Sequence, residues 1–295
     1  MSDAPLLSIG IPLYRAADFY DTIVENIDSI EYPNVEVLIS DRHLADDTID
    51  RLEAHYRDDR RVTTYRHDDE GDWWVNWNFL LNTASGKYFR WLPQDDLLPR
   101  TGLDKLIERM EKEPEVILVY NRIDNIDPSG SVVASGVHDV RHAGKRRRRW
   151  RHWDALGVAA QFHHQAAGVG IFRRSATVTA GLSIRPAPSG LSMMAFRYAL
   201  ACRGRFEMVT DVIGYYRWHG GNYSHYTPRR WTDYWGYFKV ARSYDRPRLN
   251  RLEGHWQDVA LLFAAVVVAP TVRILWNQTP TGRLARRTMK SDEVR

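Results

Sequence analysis

Short apolar runs alternate with helical periodicities over about the first 120 residues of the chain. Buried strands are predicted at 6–11, 35–40, 62–66, 88–92 and 116–120. Between them apolar side chains recur every three or four positions, as they do from Phe19 to Ile30, which predicts amphipathic helices. Pro12 and Pro93 are expected to end the first and fourth strands. This alternation predicts an α/β fold built on a doubly wound, mostly parallel sheet.

The pattern changes after residue 121. A polar, glycine-containing stretch follows, with a hairpin predicted around Pro128-Ser129-Gly130. One more strand is predicted at 168–173, a helix at 193–201 and a last strand at 212–216. The chain therefore divides into a strand-containing domain over 1–226 and a helical region over 227–295.

The C-terminal region contains two apolar features. Trp231, Tyr234, Trp235 and Phe238 share one face of a predicted helix. The stretch 259–268 is strongly apolar but shorter than the roughly 20 residues that a membrane span requires. Three interpretations fit: packing against the main domain, a homodimer interface, or peripheral contact with a membrane surface.

The overall composition is that of an ordinary globular protein. A hydrophobic content of 44% in 295 residues is enough to bury a sizeable core. The single cysteine, Cys202, excludes an internal disulfide framework and a Cys-based zinc site. The first residues lack the features of a secretory signal, so we expect a cytoplasmic protein, with the inner membrane surface as an alternative location.

The net charge of +4 includes one strongly basic run, residues 145–151, with six cations in seven positions. A solvated loop is one interpretation. The others are contact with a phosphate-bearing acceptor, an acidic membrane surface or nucleic acid. Nucleic acid has the least support, because no recognised nucleic-acid-binding motif accompanies the run.

Two adjacent carboxylates, Asp95 and Asp96, follow the apolar strand at 88–92 almost directly. Open α/β sheets bind ligands at the carboxyl ends of their strands. Two carboxylates there can bind a hard divalent cation, which in turn can bind a diphosphate. A solvated turn before the next helix is the other interpretation, since Asp is common in turns. The tripeptide Gln94-Asp95-Asp96 alone leaves both open.

The strand ends together resemble those of family 2 glycosyltransferases of the GT-A fold. The matching segments are Pro12-Leu13-Tyr14, Ser40-Asp41, Asp46-Asp47-Thr48, Trp77-Asn78, Ala84-Ser85-Gly86-Lys87-Tyr88, Gln94-Asp95-Asp96 and Tyr216-Arg217-Trp218-His219. The resemblance implies a Rossmann-like GT-A domain that uses a nucleotide-diphospho-sugar, with UDP or dTDP favoured as the nucleotide. Its nucleotide-sugar half would cover about 1–125 and its acceptor half about 126–226.

The resemblance also implies roles for individual residues. The implied nucleotide-sugar site contains Pro12, Tyr14, Asp41, Asn78, Asp95 and Arg217. Asp96, with Asp95 sharing the role, would bind Mg²⁺ or Mn²⁺, and His219 would lie close to the metal or the diphosphate. The family's Asp-x-Asp would place its first Asp at Pro93, so this chain resembles the shortened x-Asp-Asp form.

A second departure concerns the catalytic base. Inverting members carry an acidic residue at the start of a late helix, whereas residues 189–194 contain no carboxylate and Ser192 occupies that position. A serine hydroxyl is a poor base near neutral pH, so His163, His164 and Asp211 are further candidates.

Two functions follow from this departure. One is a metal-dependent, inverting glycosyltransferase with a glycan, lipid-linked or small-molecule acceptor. The other is an impaired module that binds a nucleotide-sugar or a partner without turnover. A sugar-phosphate nucleotidyltransferase is disfavoured, because no Gly-rich phosphate loop follows the first strand.

Overall fold

A computed structural model describes most of the first 219 residues and three residues beyond them. The described residues are 4–42, 46–68, 71–135, 170–179, 181–187, 192–201 and 203–219, with Val240, Ser243 and Tyr244. The predictions for His163, His164, the basic run 145–151 and the two apolar features of the C-terminal region lie outside these residues.

Strands and helices alternate as the sequence predicts. The strands are β1 (Leu7–Leu13), β2 (Val35–Asp41), β3 (Val62–Arg66), β4 (Tyr88–Trp91), β5 (Val116–Ile126), β6 (Val132–Ala134), β7 (Ile171–Arg173) and β8 (Arg205–Arg217). The helices are α1 (Tyr20–Asp28), α2 (Thr48–His55), α3 (Trp73–Thr83), α4 (Leu103–Lys112) and α5 (Ser192–Ala201), with short 3₁₀ turns at Ala17–Phe19 and Arg174–Ala176.

All eight strands form one sheet, in the order β3-β2-β1-β4-β7-β5-β6, with β8 beside β5. β1 to β4 are mutually parallel, and β8 is parallel to β5. β7 runs antiparallel to both β4 and β5, so β4 and β5 point the same way. The predicted mostly parallel sheet is confirmed, and the carboxyl ends of β1, β2, β4, β5 and β8 lie at one end of it, here called the carboxyl edge.

Helices cover both faces of the sheet. α1, α2 and α4 bury Ile23, Leu52 and Leu106 in a cluster with the side chains of β1. α3 and α5 bury Leu80 and Phe196 in a second cluster with aromatic side chains of β4 and β7. The predicted doubly wound arrangement is therefore present.

The predicted end of the first strand is wrong by two residues. β1 continues through Pro12 to Leu13, and Pro12 lies opposite Ser40 of β2. The pairing of β1 with β4 stops at Gly10 opposite Trp91, so no β4 residue runs beside Pro12. A residue without an N–H is tolerated where one side of the strand has no neighbour.

β5 and β8 are longer than predicted. Their polar residues interrupt the apolar pattern on which the prediction rests, yet Asn121 and Asp124 are buried. Asn121 accepts a hydrogen bond from Arg90 on the neighbouring part of the sheet, and Asp124 pairs with Arg122. Buried polar groups with partners are compatible with a strand interior, and periodicity alone does not reveal those partners.

All three described residues beyond 219 contact the main domain: Val240 and Tyr244 pack against its second cluster, and Ser243 accepts hydrogen bonds from Arg185. The Tyr244 ring is buried, and its hydroxyl donates to the Ser183 carbonyl at 2.7 Å and accepts from the Arg185 N–H at 2.9 Å. The three interpretations of the two apolar features of the C-terminal region stay predictions. Within the described residues, no helix has the length and apolarity needed to cross a membrane.

Candidate functional site

The carboxyl edge brings together polar residues that are far apart in sequence. Tyr14 follows β1, Asp41 ends β2, Asp95 and Asp96 follow β4, and Arg217 ends β8. Hydrogen bonds join Arg217 directly to Asp95 and Asp96. The structure thus brings these residues together around the loop after β4, here called the carboxylate loop (residues 93–98).

Asp96 is buried, with 3% of its surface exposed, and one of its oxygens accepts the Arg217 backbone N–H at 3.1 Å. Burial raises the pKa of Asp96 well above its usual range, and the neighbouring charge of Asp95 raises it further. The hydrogen bond from Arg217 and the charge of Arg90 oppose this shift without cancelling it. The site therefore favours a positive charge near Asp96.

Arg90 lies in β4 and is almost completely buried. Burial lowers its pKa to about 10, against the opposing charge of Asp96. Its Nη1 donates to the Asn121 side-chain oxygen at 3.2 Å. The sequence analysis assigned no role to Arg90, although a single cation within an otherwise apolar strand could have indicated a buried partner of opposite charge.

His219 contacts the other carboxylate of the loop. Its Nε2 lies 2.9 Å from Oδ2 of Asp95, and each side chain is about one-fifth exposed, at 21% and 19%. The Phe19 ring lies 5.4 Å from the imidazole, centroid to centroid. His219 therefore lies beside a carboxylate of the loop, and its predicted position close to a metal or a diphosphate stays a prediction.

The donor atoms fit a divalent cation that binds together with a ligand. Among the described residues, no group of three or more His, Cys, Asp or Glu side chains is arranged to hold a metal ion. Asp95 and Asp96 supply two carboxylates, and Mg²⁺ commonly binds one or two carboxylates together with substrate phosphates. Burial and Asp95 raise the pKa of Asp96, so its ionised form is disfavoured. A bound cation would stabilise that ionised form.

The Asn26 side chain of α1 forms two hydrogen bonds with the backbone of the carboxylate loop. Its amide donates to the Asp96 carbonyl at 2.9 Å and accepts the Leu98 N–H at 2.8 Å. Leu97 and Tyr215 exchange two backbone hydrogen bonds, at 3.0 and 3.1 Å. The sequence analysis missed Asn26, although a polar residue on the apolar face that carries Ile23 and Ile27 was a usable signal.

Arg217 braces the loop through backbone carbonyls. Its Nε donates to the Asp95 carbonyl at 3.0 Å, and its Nη1 donates to the carbonyls of Asp127 and Pro128 at 3.2 and 2.9 Å. The side chain thus joins the carboxylate loop to the predicted hairpin after β5. Phosphate binding by Arg217 stays a prediction.

Tyr14 exposes a ring at the edge of the site, with 58% of its surface accessible. Its backbone is held by Gln94, which accepts the Tyr14 N–H at 2.8 Å and donates to the Tyr14 carbonyl at 2.9 Å. The exposed ring offers a face on which a planar base can stack. Gln94 had no assigned role in the sequence analysis.

Asp41 is buried at the end of β2, and its carbonyl accepts the His67 N–H at 3.1 Å. Asn76 of α3 joins the ends of β1 and β2: its amide donates to the Ser40 carbonyl at 2.9 Å and to the Leu13 carbonyl at 3.4 Å. Asn76 was not predicted from the sequence, because its partners, two carbonyls and the Ser40 hydroxyl, are distant in sequence.

Asn78 has a different environment. Its amide donates to the Ile184 carbonyl and accepts the Ile184 N–H, both at 2.7 Å. Both polar ends of this side chain therefore hold the segment that leads to α5. The nucleotide-sugar role predicted for Asn78 stays a prediction.

The candidate bases have structural partners. Ser192 is buried at the start of α5, where its hydroxyl accepts the Ala187 N–H at 2.8 Å. Asp211 is exposed on β8 and pairs with Lys105 at 2.8 Å, and this hydrogen bond holds its pKa below the usual range. A carboxylate with a lowered pKa is a weaker base. The catalytic roles of both residues stay predictions.

The family of the chain follows from a comparison with known proteins. Residues 8–174 match the family described as glycosyl transferase family 2. The match covers more than half of the chain, which therefore belongs to this family. The resemblance drawn from the strand ends is confirmed.

Curated relatives match over part of their length. The chain is 28% identical to the chondroitin synthase of Escherichia coli over 132 residues, covering 45% of this chain and 19% of that protein. It is 24% identical to the glycosyltransferase GlyG of Streptococcus pneumoniae over 126 residues, covering 43% of this chain and 42% of that protein. The chain thus spans less than half the length of these relatives.

Solved structures confirm the fold. The S. aureus TarS fragment 1–349, solved in complex with UDP-GlcNAc, superposes with a TM-score of 0.63 at 15% identity, covering 93% of this chain and 74% of that one. The mannosyltransferase PcManGT from Pyrobaculum calidifontis, solved with GDP-Man and Mn²⁺, gives 0.56 at 18% identity, covering 97% and 80%. The chain has the GT-A fold.

Proposed function

We propose that this protein transfers a sugar from a nucleotide-diphospho-sugar to an acceptor nucleophile. The observation that carries the proposal is the carboxylate loop, in which buried Asp96 and the Asp95–His219 pair lie at the carboxyl edge of the sheet. This is where open α/β sheets bind their ligands. Membership of glycosyl transferase family 2 supports the same reaction class.

The donor would lie along the carboxyl edge from Tyr14 to His219. The exposed Tyr14 ring and the buried Asp41 suit a nucleobase, by stacking and by hydrogen bonding, and we favour uridine or thymidine. Asp95 would contact the ribose, and Asp96 would bind Mg²⁺ or Mn²⁺. Such an ion, when bound, would neutralise the diphosphate as it departs. A TarS structure with UDP-GlcNAc and a PcManGT structure with Mn²⁺ support a site of this kind.

The acceptor would attack the anomeric carbon from the face opposite the diphosphate, which inverts the configuration. The acceptor is a glycan, a lipid-linked glycan or a small molecule. A general base is needed to take the proton of the attacking hydroxyl, and His163, His164, Ser192 and Asp211 are the candidates.

A second candidate function is binding without turnover. Two observations favour it: the first turn of α5 contains no acidic residue, and the Ser192 hydroxyl is occupied by Ala187. A protein of this kind would bind the nucleotide-sugar at the same edge and leave the glycosidic bond intact.

Two measurements separate these functions. Calorimetric titration with UDP, with and without Mn²⁺, should show binding that depends on the metal, and no binding under either condition contradicts both functions. Incubation with a panel of UDP-sugars and candidate acceptors should then release UDP. Nucleotide-sugar binding without UDP release or hydrolysis would favour the second function, and an anomeric configuration retained in the product would contradict inversion.

A further inference from the structure

The Gln94 side chain connects two loops that belong to different parts of the candidate site. It follows β4 and precedes the carboxylates, whereas its partner Tyr14 follows β1, 80 residues earlier. The two hydrogen bonds, at 2.8 and 2.9 Å, involve both the N–H and the carbonyl of Tyr14. A side-chain amide that pairs with both groups of one residue fixes the orientation of that backbone unit, as a neighbouring strand would.

The turn after Tyr14 is conformationally strained. Arg15 has a φ of 49°, and within the described part of the chain it is the one residue other than glycine with a positive φ. The left-handed region costs a residue with a Cβ atom about 1 kcal/mol. Such conformations persist where surrounding contacts hold them, and they are concentrated at functional sites. Gln94 fixes the peptide group directly before this residue.

The carboxylate loop is also held by residues other than Gln94. The amide of Asn26 and the N–H of Arg217 hold the carbonyl and carboxylate of Asp96, two residues after Gln94. Asp95 is also held, through its carbonyl, by the Arg217 side chain. The carboxylate loop is therefore braced by α1 and β8, and Gln94 transmits its position to the Tyr14 turn.

We propose that Gln94 is a positioning residue that couples the nucleoside part of the donor site, at Tyr14, to the metal and diphosphate part, at Asp95 and Asp96. This inference rests on the proposed function. A nucleoside that stabilises this conformation of the Tyr14 turn also stabilises, through Gln94, the conformation of the carboxylate loop, so each ligand increases the affinity of the protein for the other. Such coupling is reciprocal.

The test uses a nucleoside without phosphates, so uridine has no diphosphate through which to bind Mn²⁺. The ribose and the metal share Asp95 in the proposed site, and the part of the uridine effect that passes through Gln94 is the part that Gln94→Met removes. We expect uridine to raise the Mn²⁺ affinity of the full chain about fivefold or more, within the usual range of coupling between sites. Electron paramagnetic resonance titration of free Mn²⁺, with and without uridine, measures this factor.

Gln94→Met keeps the length of the side chain and removes both hydrogen bonds. We expect the coupling factor to fall to about one, with a smaller change in Mn²⁺ affinity in the absence of uridine. Asn34→Ala is the matched control, because Asn34 donates from a side-chain amide to the Ala4 carbonyl before β1, away from the carboxyl edge. It should keep the wild-type factor. An equal factor in wild type and Gln94→Met, or a wild-type factor of one, overturns the proposal.

A second readout needs no ligand. Gln94→Met should increase hydrogen exchange of the Tyr14 amide by about tenfold or more, because that amide loses its acceptor. Unchanged exchange means that Gln94 does not hold the turn, which overturns the proposal whatever the protein binds. A different result is possible: Gln94→Met shows the expected increase in exchange, but the wild-type protein binds neither Mn²⁺ nor UDP. That result overturns the proposed function and with it the coupling.

Discussion

At the amino end of the sheet Glu36 accepts four hydrogen bonds, whereas at the carboxyl edge Asp96 is buried beside a second carboxylate. The donors to Glu36 are the Ser8 hydroxyl, the Ser85 hydroxyl and the N–H groups of Ser85 and Gly86. Burial opposes ionisation of Glu36, but these hydrogen bonds outweigh it and hold its pKa below the usual range. The pKa of Asp96 is shifted the other way by burial and by Asp95.

The opposite pKa shifts of Glu36 and Asp96 indicate that the first carboxylate stabilises the fold and the second suits a binding function. A carboxylate with a lowered pKa stabilises the folded state at neutral pH, and one with a raised pKa destabilises it when ionised. The fold holds Asp96 in an unfavourable position through neutral braces, from Asn26 and the Arg217 N–H. The charges of Arg90 and Arg217 compensate Asp96 only in part, and a bound cation would compensate the rest.

Asp96→Asn should give the largest effect on function. We expect a loss of affinity for UDP in the presence of Mn²⁺ on the order of a thousandfold, about 4 kcal/mol, because a metal ligand is lost. The free energy of unfolding at pH 7 should stay equal or increase, since an unfavourable buried charge is removed. Calorimetry and urea denaturation measure the two quantities.

The exposed residue Asp104 on α4 provides the control for this change. Asp104→Asn removes one carboxylate elsewhere and should keep the wild-type affinity. Unchanged affinity in Asp96→Asn would remove Asp96 from the metal site, and a large loss of stability would show that its charge is compensated in the fold.

Arg173→Met should give the largest effect on stability. At the amino end, Arg173 donates to the Val116 carbonyl and the Tyr88 hydroxyl, each at 3.0 Å, and to the Met110 carbonyl at the end of α4. Its removal leaves these groups without their donor and should lower the free energy of unfolding by about 3 kcal/mol.

Urea denaturation at pH 7 measures this change in unfolding free energy. Arg100→Met is the matched control, because Arg100 forms an exposed ion pair with Glu25 and should cost less than about 1 kcal/mol. A similar cost for both variants would contradict the structural role of Arg173.

Glu36→Gln should lower the free energy of unfolding by about 2 kcal/mol at pH 7, because hydrogen bonds to a charged acceptor are replaced. The folded-state pKa of Glu36 is below its unfolded value, so its contribution is complete above the unfolded pKa. It is lost as the pH falls through the folded-state pKa. The difference between the two proteins should therefore shrink as the pH falls from the unfolded-state pKa, about 4.3, through the folded-state pKa.

Glu108→Gln is the control for this pH dependence, because Glu108 forms an exposed ion pair with Lys112. It should change stability by less than about 0.5 kcal/mol. A constant difference between wild type and Glu36→Gln down to low pH would show that Glu36 is not the titrating group.

The sequence predicts the fold well because the first half obeys two simple periods. The apolar runs of β1 to β4 and the helical faces between them follow from burial alone. The same runs locate the strand ends, so the positions of Tyr14, Asp41 and Asp95–Asp96 are predictable. The family match over residues 8–174 spans these positions.

The side chains that hold the loops of the carboxyl edge are not predictable from apolar periodicity. Gln94, Asn26 and Asn76 bind backbone atoms of segments distant in sequence, and backbone atoms carry no sequence signal. The buried lengths of β5 and β8 depend on polar pairs, among them Arg90 with Asn121. Charges that partner one another inside a sheet look like interruptions when each strand is considered separately.

Ser40→Ala, at the carboxyl edge, should give the smallest effect. The Nδ2 atom of Asn76 donates to two carbonyls, which leaves its Oδ1 atom directed at the Ser40 side chain. The Ser40 hydroxyl donates to this Oδ1 atom at 2.6 Å. The Ser40 oxygen must then accept from Nε2–H of His67, 3.0 Å away. Neutral His67 should therefore carry its proton on Nε2, and ¹⁵N chemical shifts of the imidazole measure this.

Ser40→Ala removes the acceptor of His67 and the donor to Asn76. We expect a shift in the tautomer of His67 and a loss of about 1 kcal/mol in the free energy of unfolding. Ser129→Ala, in the exposed hairpin, is the control and should change stability by less than about 0.5 kcal/mol. An unchanged His67 spectrum would contradict the chain of hydrogen bonds. The expected loss of stability would show that hydrogen bonds between neutral groups stabilise the carboxyl edge, whereas at the amino end the acceptor Glu36 is charged.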